Sequence, residues 1–278
     1  MRSMARRARS VSRRARVLTL LTVLGTVVFG TLLIVPAGVG AAVFTHRVAA
    51  PAPSPTTSDT GKAFGGVAAV GALFTASGGQ PGTHFCTASV VHSTHGDLAV
   101  TAAHCLASAQ GQQVVFVPGY ANGKEPYGVW PVTAVYTDQA WQSSQDPDDD
   151  VAFLRLSDAH GNVPIERVTG AERLGTSSTG RTLVQVIGYP DDANQPISCV
   201  NWAGSFSASQ LEFDCDGYTD GTSGGPFLAG KTGAAGGYGT VVGVIGGYER
   251  GGDTSEVSYA SAFGASVTAL YQTAESVA

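Results

Sequence analysis

Glycine is the feature that most constrains how this chain can fold. It accounts for 37 of the 278 residues, and the apolar residues between the glycine-rich turns form short runs rather than long helical stripes. Glycine suits tight turns and weakens helices, whereas short apolar runs bounded by turn residues are typical of β-strands. The pattern therefore predicts an all-β fold, either a sandwich or a barrel. The main runs are residues 67–74, 87–92, 98–102, 114–117, 151–156, 183–189 and 241–247.

The end of the chain has a different period. Phe263, Val267, Leu270, Tyr271 and Ala274 recur at the spacing of one helix face. This spacing predicts a C-terminal amphipathic helix that closes the domain. The composition, with 43% hydrophobic and 13% charged residues, excludes a disordered chain.

The N-terminus has the layout of an export signal. Residues 2–16 contain seven arginines, and residues 17–44 contain no charge. A basic segment followed by an apolar one directs export, but this apolar run is also long enough to span a bilayer. Small residues at 39–41 offer a cleavage site. Residues 1–44 are therefore either a cleaved signal peptide or a retained membrane anchor. In both cases the body of the protein is exported, because arginine stays on the cytoplasmic side.

A linker precedes the folded domain. Residues 45–64 are rich in Pro, Ser, Thr and Ala and are interpreted as a linker or a pro-segment, which leaves residues 65–278 for the folded domain.

The chain after the N-terminal segment is acidic. From residue 51 onward it contains eight basic and 21 acidic residues, a formal charge of −13. Phosphate binding needs clustered cations, so nucleic acid is excluded as a partner. Membrane contact is expected only through the N-terminal segment.

Four cysteines fit an exported protein, in which an even number indicates two disulfides. The sequence contains no C-x-x-C pair and no zinc-like spacing, so we expect neither a metal nor a cofactor. A bond between Cys86 and Cys105 would hold the backbone beside His104, which follows an apolar run in the segment TAAHC. A lone histidine is more often a core residue, but a histidine at a pinned strand end is a candidate general base.

An aspartate and its apolar strand form the second candidate segment, DVAFLRL. Asp150 directly precedes the run 151–156. A carboxylate carried into the interior by a strand needs a hydrogen-bond partner, and a histidine N–H would supply one. Asp148 and Asp149 are interpreted as part of a solvated loop.

A serine flanked by glycines forms the third segment, GTSGGP. The glycines beside Ser223 permit a sharp turn and the close approach of a substrate carbonyl. The backbone N–H groups of Gly221 and Ser223 are then candidate donors to one oxyanion.

In this order, TAAHC, DVAFLRL and GTSGGP resemble the three signatures of the chymotrypsin-like serine peptidases. The similarity extends through the folded domain, in which VGALF with HFCTASVV resembles the first strands and QVIGYP resembles the start of the second half. The segments VGALF, VIGYP and GTSGGP are most similar to the bacterial secreted branch that includes the glutamyl endopeptidases.

The resemblance implies two six-stranded antiparallel β-barrels with the active site in the cleft between them. It implies that Ser223 attacks the scissile carbonyl of a protein or peptide, that His104 takes its proton, and that Asp150 orients the imidazole. The expected protein is a secreted or surface serine endopeptidase and a monomer. Two alternatives are a non-catalytic binding module on the same fold and an esterase that uses the same triad.

The chain departs from the family pattern at three places. Thr222 stands where animal members have the aspartate that pairs with a freshly cut N-terminus, so that activation switch is not expected. Gly246 stands where a serine usually supports the triad aspartate. Cys199 and Cys215 do not have the commonest family spacing and are paired because no other cysteine remains.

The resemblance also places the substrate pocket between residues 217–222, 245–248 and 256–259. The glycine at position 217 takes the floor position that is acidic in trypsin-type members, and no histidine stands at 244–248 as it does in the glutamyl-specific branch. Small to medium apolar residues are therefore expected before the cleaved bond. The residues expected to line the pocket are Gly217, Asp220, Gly246, Gly247 and Val257.

Overall fold

The computed structural model describes residues 59–109, 111–157, 163–230 and 238–277. The predicted signal peptide or anchor, residues 1–44, lies outside the described residues, as does the predicted linker up to residue 58. None of the helices in the described part is long and apolar enough to cross a membrane.

Strands dominate the described chain, as the short apolar runs predict. The strands are β1 Lys62–Ala63, β2 Val70–Ser77, β3 Gln80–Val91, β4 Leu98–Thr101, β5 Gln113–Pro118, β6 Trp130–Thr137, β7 Ala152–Leu156, β8 Arg173–Leu174, β9 Thr182–Gly188, β10 Ile197–Ser205, β11 Gln210–Asp214, β12 Pro226–Ala229, β13 Thr240–Val244 and β14 Val257–Ser261. The α-helices are α1 Ala103–Ser108, α2 Gln139–Ser144, α3 Ile165–Thr169 and α4 Ala265–Ser276.

The first sheet is a closed six-stranded barrel in the order β2-β3-β4-β7-β6-β5. All of its neighbouring strands are antiparallel. Closure brings β2 and β5 together at Gly71, where a Cβ would lie 2.3 Å from the carbonyl oxygen of Val117. Only glycine fits so close an approach of two backbones.

The second sheet follows the order β14-β11-β10-β9-β12-β13-β8, with β1 added to β10. Beyond the end of β13, Ile245 forms an antiparallel bridge to Ala260 of β14, which curls the sheet back toward its other edge. The predicted chymotrypsin-like double-barrel fold is confirmed. The prediction of six strands in each half is corrected for this half, which is a curled half-barrel of eight strands because two short strands join the six antiparallel ones.

Pairing starts before the predicted domain boundary at residue 65. The N–H of Gly61 donates to the carbonyl of Asp216 at 2.8 Å, and the N–H of Asp216 donates to Asp59 at 2.8 Å. The short β1 then pairs with β10. Residues 59–64 thus add an edge to the second sheet.

The predicted C-terminal helix is α4, which lies against β6 and β7 of the first barrel. Its buried residues are Val267, Leu270 and Ala274, at the spacing that predicted the helix. The Arg155 side chain on β7 donates to the carbonyl of Ala274 at 2.7 Å and so satisfies a backbone acceptor in the last turn. The helix therefore covers the barrel wall that includes the strand after Asp150.

Candidate active site

His104 and Asp150 are brought together because they lie beside the ends of paired strands. β4 pairs with β7, with Thr101 opposite Ala152. His104 lies in the first turn of α1 directly after β4, and Asp150 directly follows the short 3₁₀ turn Pro147–Asp149 that leads into β7. The His104 Nδ1 atom lies 2.7 Å from Asp150 Oδ2.

The Asp150 carboxylate is buried and accepts three hydrogen bonds. Besides the imidazole, the backbone N–H of His104 donates to Oδ1 at 2.8 Å and that of Gly247 donates to Oδ2 at 2.9 Å. Burial on its own raises the pKa of Asp150, but the hydrogen bond and charge of His104 and the two backbone N–H groups outweigh it, so the pKa falls below its ordinary value. Asp150 is therefore ionised at neutral pH.

The ionised Asp150 fixes the tautomer of His104. A carboxylate only accepts hydrogen bonds, so the imidazole donates from Nδ1 and its Nε2 carries the free lone pair. His104 is 8% exposed and Asp150 is 1% exposed, so the pair is almost entirely shielded from water while His104 still lines an open cleft. Nε2 is thus the basic atom of the pair.

The absence of the family's usual serine at position 246 does not leave Asp150 without support. A Cβ on Gly246 would lie 3.0 Å from Asp150 Oδ2, so the backbone approaches the carboxylate closely. The next residue, Gly247, has φ 78° and ψ −125°, a conformation that favours glycine, and its N–H points at Asp150. A backbone amide takes the place of a serine hydroxyl.

Gln210 on β11 fastens the segment that carries Asp150 to the second sheet. Its Nε2 donates to the carbonyl of Pro147 at 2.9 Å and to Asp148 Oδ1 at 2.8 Å, while its Oε1 accepts from the N–H of Tyr248 at 3.2 Å. Asp148, interpreted from the sequence as solvated, is thus a hydrogen-bond acceptor as well as an exposed residue. The buried amide of Gln210 therefore connects the segment before Asp150 to the segment that follows Gly247.

The loop around Ser223, residues 219–225, is called the serine loop below. The carbonyl of Asp220 accepts from the N–H of Asp191 at 2.9 Å, and the carbonyl of Thr222 accepts from Gly225 at 2.9 Å. In a trans peptide the C=O and the following N–H point in opposite directions. These two contacts therefore orient the N–H groups of Gly221 and Ser223, and neither N–H has an acceptor within the described residues.

Both hydrogen-bond donors of Thr222 find their acceptor within the serine loop. Its hydroxyl donates to the carbonyl of Thr219 at 2.7 Å, and its N–H donates to the same oxygen at 3.1 Å. The side chain is buried and neutral, so it needs no ammonium partner.

Both predicted disulfides are present. Cys86–Cys105 joins β3 to α1 beside His104, and Cys199–Cys215 joins β10 to the residue after β11. Among the described residues, Cys86, Cys105 and His104 also form the cluster of potential metal ligands, but both sulfurs are bonded to each other. A disulfide offers no thiolate, so this cluster does not suit a metal ion.

His104 and Ser223 line the same cleft, of about 600 Å³. No hydrogen bond joins the two side chains in the described structure, which is common where no substrate is bound, since such contacts tighten in the complex. Of the residues expected to line the substrate pocket, Asp220 lines this cleft, whereas Gly217, Gly246, Gly247 and Val257 lie outside its lining, and their part in a substrate pocket stays a prediction. The other lining residues include Tyr218, Thr219, Gly221, Thr222, Ile245 and residues 249–255.

The cleft is acidic at its rim. Asp191, Asp220, Glu249 and Asp253 line it, against the single cation Arg250 among the described lining residues. All five side chains are exposed, so their charges act through solvent and are partly screened. The excess of carboxylates disfavours an acidic substrate.

Sequence reasoning missed the roles of Gln210 and Thr87, whose hydrogen bonds hold parts of the site. Each is an ordinary polar residue in a strand. The signal for Thr87 was its position directly after Cys86, which places it on the strand next to His104.

Comparison with known families agrees with this geometry. The sequence profile of the family described as Trypsin-like peptidase domain matches residues 82–244, more than half of the chain. The match includes the positions of His104, Asp150 and Ser223. No curated protein matches the chain at a significant level.

Several solved structures are similar to this one. The protease Anisep from Arthrobacter nicotinovorans is 25% identical, with 78% of this chain and 100% of that chain covered and a TM-score of 0.66. The thermostable serine protease AL20 from an extremophilic microorganism is 24% identical, with 76% and 98% covered and a TM-score of 0.64. A Glu endopeptidase is 15% identical, with 79% and 98% covered and a TM-score of 0.63. The last two likenesses concern the fold alone.

Proposed function

The chain belongs to the family of trypsin-like peptidase domains, and on that premise we propose that it is an exported serine endopeptidase. Its substrates are proteins or peptides, and the reaction passes through an acyl-enzyme on Ser223. The observation that carries the proposal is the buried His104–Asp150 pair, 2.7 Å apart, whose histidine lines the same cleft as Ser223.

Each member of the triad has a distinct role in the proposed mechanism. His104 Nε2 takes the proton from Ser223 Oγ as the oxygen attacks the scissile carbonyl, and it then gives that proton to the leaving amine. Asp150 holds the imidazole in the required tautomer and stabilises the imidazolium. Water then attacks the acyl-enzyme while His104 Nε2 takes its proton, and His104 returns a proton to Ser223 Oγ as the bond between Oγ and the acyl carbon breaks and the acid product leaves.

The developing oxyanion is stabilised by the backbone N–H groups of Gly221 and Ser223. Support for this assignment comes from the anchored carbonyls of Asp220 and Thr222, which leave both N–H groups without an acceptor in the described residues. Donors fixed before the reaction cost no reorganisation when charge develops, and this is usually the largest electrostatic contribution to catalysis.

Two disulfides support an oxidising compartment, since such bonds persist mainly outside the cytosol. We propose that the domain acts as a monomer outside the cell, either released after cleavage or held by residues 17–44.

A fluorophosphonate probe, which reacts with activated serines, tests the enzyme class. We expect it to label the wild-type protein at Ser223. We also expect wild-type protein that has not been treated with the probe to digest casein. Labelling without casein digestion, but with hydrolysis of a simple ester, would identify an esterase. A folded protein that takes up no label would be a binding module.

The cleft also predicts which residue precedes the cleaved bond. Tyr218 and Ile245 line it, and the Asp216 carboxylate beside it already accepts a hydrogen bond from Ser255 at 2.8 Å. A charged substrate side chain buried there without a partner is unfavourable by several kcal/mol. We expect a peptide library to be cut after Ala, Val or Leu.

A library profile dominated by Arg or Lys would contradict this prediction and point to Asp216 or Asp220 as the anion. The matched variants Asp216→Asn and Asp220→Asn identify which one. A profile dominated by Glu would also contradict it and would require a cation at the cleft.

A further inference from the structure

Thr87 lies on β3, in the first barrel, yet its contacts reach the serine loop. It is fully buried, at 0% exposure. Its N–H donates to the carbonyl of Ser223 at 2.7 Å, and its hydroxyl donates to the carbonyl of Gly221 at 3.0 Å. Both residues proposed as oxyanion donors are therefore held by one residue of the other barrel.

The hydroxyl of Thr87 has a second contact that fixes its direction. The Tyr189 N–H donates to Thr87 Oγ1 at 2.9 Å. Since the oxygen accepts from Tyr189, its single proton is free to point at Gly221. The Thr87 carbonyl accepts from the hydroxyl of Thr101 at 2.7 Å, three residues before His104. Thr87 thus links β4, the strand that leads to His104, to the serine loop.

These bonds complete the anchoring of the serine loop. The carbonyls of Asp220 and Thr222 are held from within the second half of the domain, by Asp191 and Gly225. The two carbonyls between and after them, those of Gly221 and Ser223, are held by Thr87. Every carbonyl from residue 220 to residue 223 therefore accepts a hydrogen bond, and these bonds hold the turn in a single backbone conformation.

We propose that the Thr87 hydroxyl is a positioning group for the oxyanion hole, acting through the Gly221 carbonyl. This inference rests on the proposed peptidase function. The main-chain N–H at position 87 is present in almost any residue, but only a hydroxyl there donates to Gly221 and accepts from Tyr189 at once. The Gly221 carbonyl belongs to the Gly221–Thr222 peptide, which lies between the two peptides that carry the N–H groups of Gly221 and Ser223. Losing the Thr87 hydroxyl frees this middle peptide to rotate, which changes the relative direction of the two donors. Small displacements of such donors weaken transition-state binding more than substrate binding.

The test compares Thr87→Val, which keeps the shape and removes the hydroxyl, with Thr87→Ser, which keeps the hydroxyl. For Thr87→Val we expect kcat to fall by about 10- to 100-fold, less than for direct removal of an oxyanion donor, with KM changed by less than about threefold. For Thr87→Ser we expect kcat within about threefold of wild type.

A peptide boronic acid supplies a second measurement, because its tetrahedral adduct places an oxygen in the oxyanion hole. We expect its inhibition constant for Thr87→Val to weaken by about the same factor as kcat. Thermal unfolding confirms that each variant is folded. The control with unchanged kinetics is Thr75→Val, at a half-buried threonine of β2 whose hydroxyl donates to the carbonyl of Thr83.

The inference is overturned if folded Thr87→Val keeps wild-type kcat, or if its loss lies entirely in KM. It is also overturned if Thr87→Ser loses as much kcat as Thr87→Val, since the hydroxyl would then be irrelevant. An inactive wild-type protein would instead refute the proposed peptidase function, so the two failures are distinguishable.

Discussion

Ser223→Ala is expected to lower kcat/KM for a peptide substrate by about 10⁶-fold. The reason is that the proposed reaction proceeds through a covalent bond to Ser223 Oγ, and a nucleophile that forms such a bond cannot be bypassed. His104→Ala is expected to cost a similar factor, because the serine is a weak nucleophile without its base. Initial rates on a fluorogenic peptide, with titrated enzyme, measure both losses.

The double variant Ser223→Ala, His104→Ala provides the control for these single losses. Residues that act as one unit are strongly non-additive, so the double variant should be about as slow as either single variant. A folded Ser223→Ala protein that keeps more than about a hundredth of wild-type activity would exclude Ser223 as the nucleophile.

Asp150→Asn is expected to keep the fold and to lose about 10⁴-fold in kcat, the loss associated with the wrong histidine tautomer in such triads. An asparagine amide donates a hydrogen bond where the carboxylate accepted one, which turns the free lone pair of His104 toward position 150 instead of toward Ser223. The same fluorogenic assay measures the loss, and circular dichroism checks the fold.

Asp149→Asn is the matched control, one residue earlier in the chain. Asp149 ends the 3₁₀ turn and makes no contact with His104, whereas Asp150 carries two hydrogen bonds from it. If Asp149→Asn is the more damaging change, the assignment is wrong by one residue.

Acid provides an independent check on Asp150→Asn. The pKa of Asp150 is lowered in the folded protein, so its contribution to stability is present above the ordinary aspartate pKa and is lost as the pH falls through the folded value. The stabilities of wild type and variant should therefore differ at neutral pH and converge in acid. A difference that stays constant down to strongly acidic pH would show that the carboxylate charge is not what the fold stabilises.

The sequence alone predicted features that contiguous residues encode. Short apolar runs predicted the strands, and the apolar spacing around Val267 and Leu270 predicted α4. The segments around His104, Asp150 and Ser223 predicted the candidate site, because each is a local pattern, such as Gly221 and Gly224 in the turn around Ser223. The structure places all three on or beside one cleft.

Sequence patterns were less informative about the second half of the fold. The run 241–247 predicted a continuous strand, but β13 ends at Val244 and Gly247 turns toward Asp150. The two short strands β1 and β8 have two residues each, too few for a detectable period. Whether such segments pair depends on the edge that the rest of the sheet offers them.

Tertiary structure alone decided how the site is supported. The hydrogen bonds from Thr87 to Gly221, from Gly247 to Asp150 and from Gln210 to Pro147 join residues that are 134, 97 and 63 positions apart. Such a bond depends on how the two sheets pack against each other, and a backbone amide or a buried hydroxyl leaves no local pattern that reveals its distant partner. The reactive groups can therefore be predicted from the sequence. The groups that hold them in place can be identified only from the packing of the two halves of the domain.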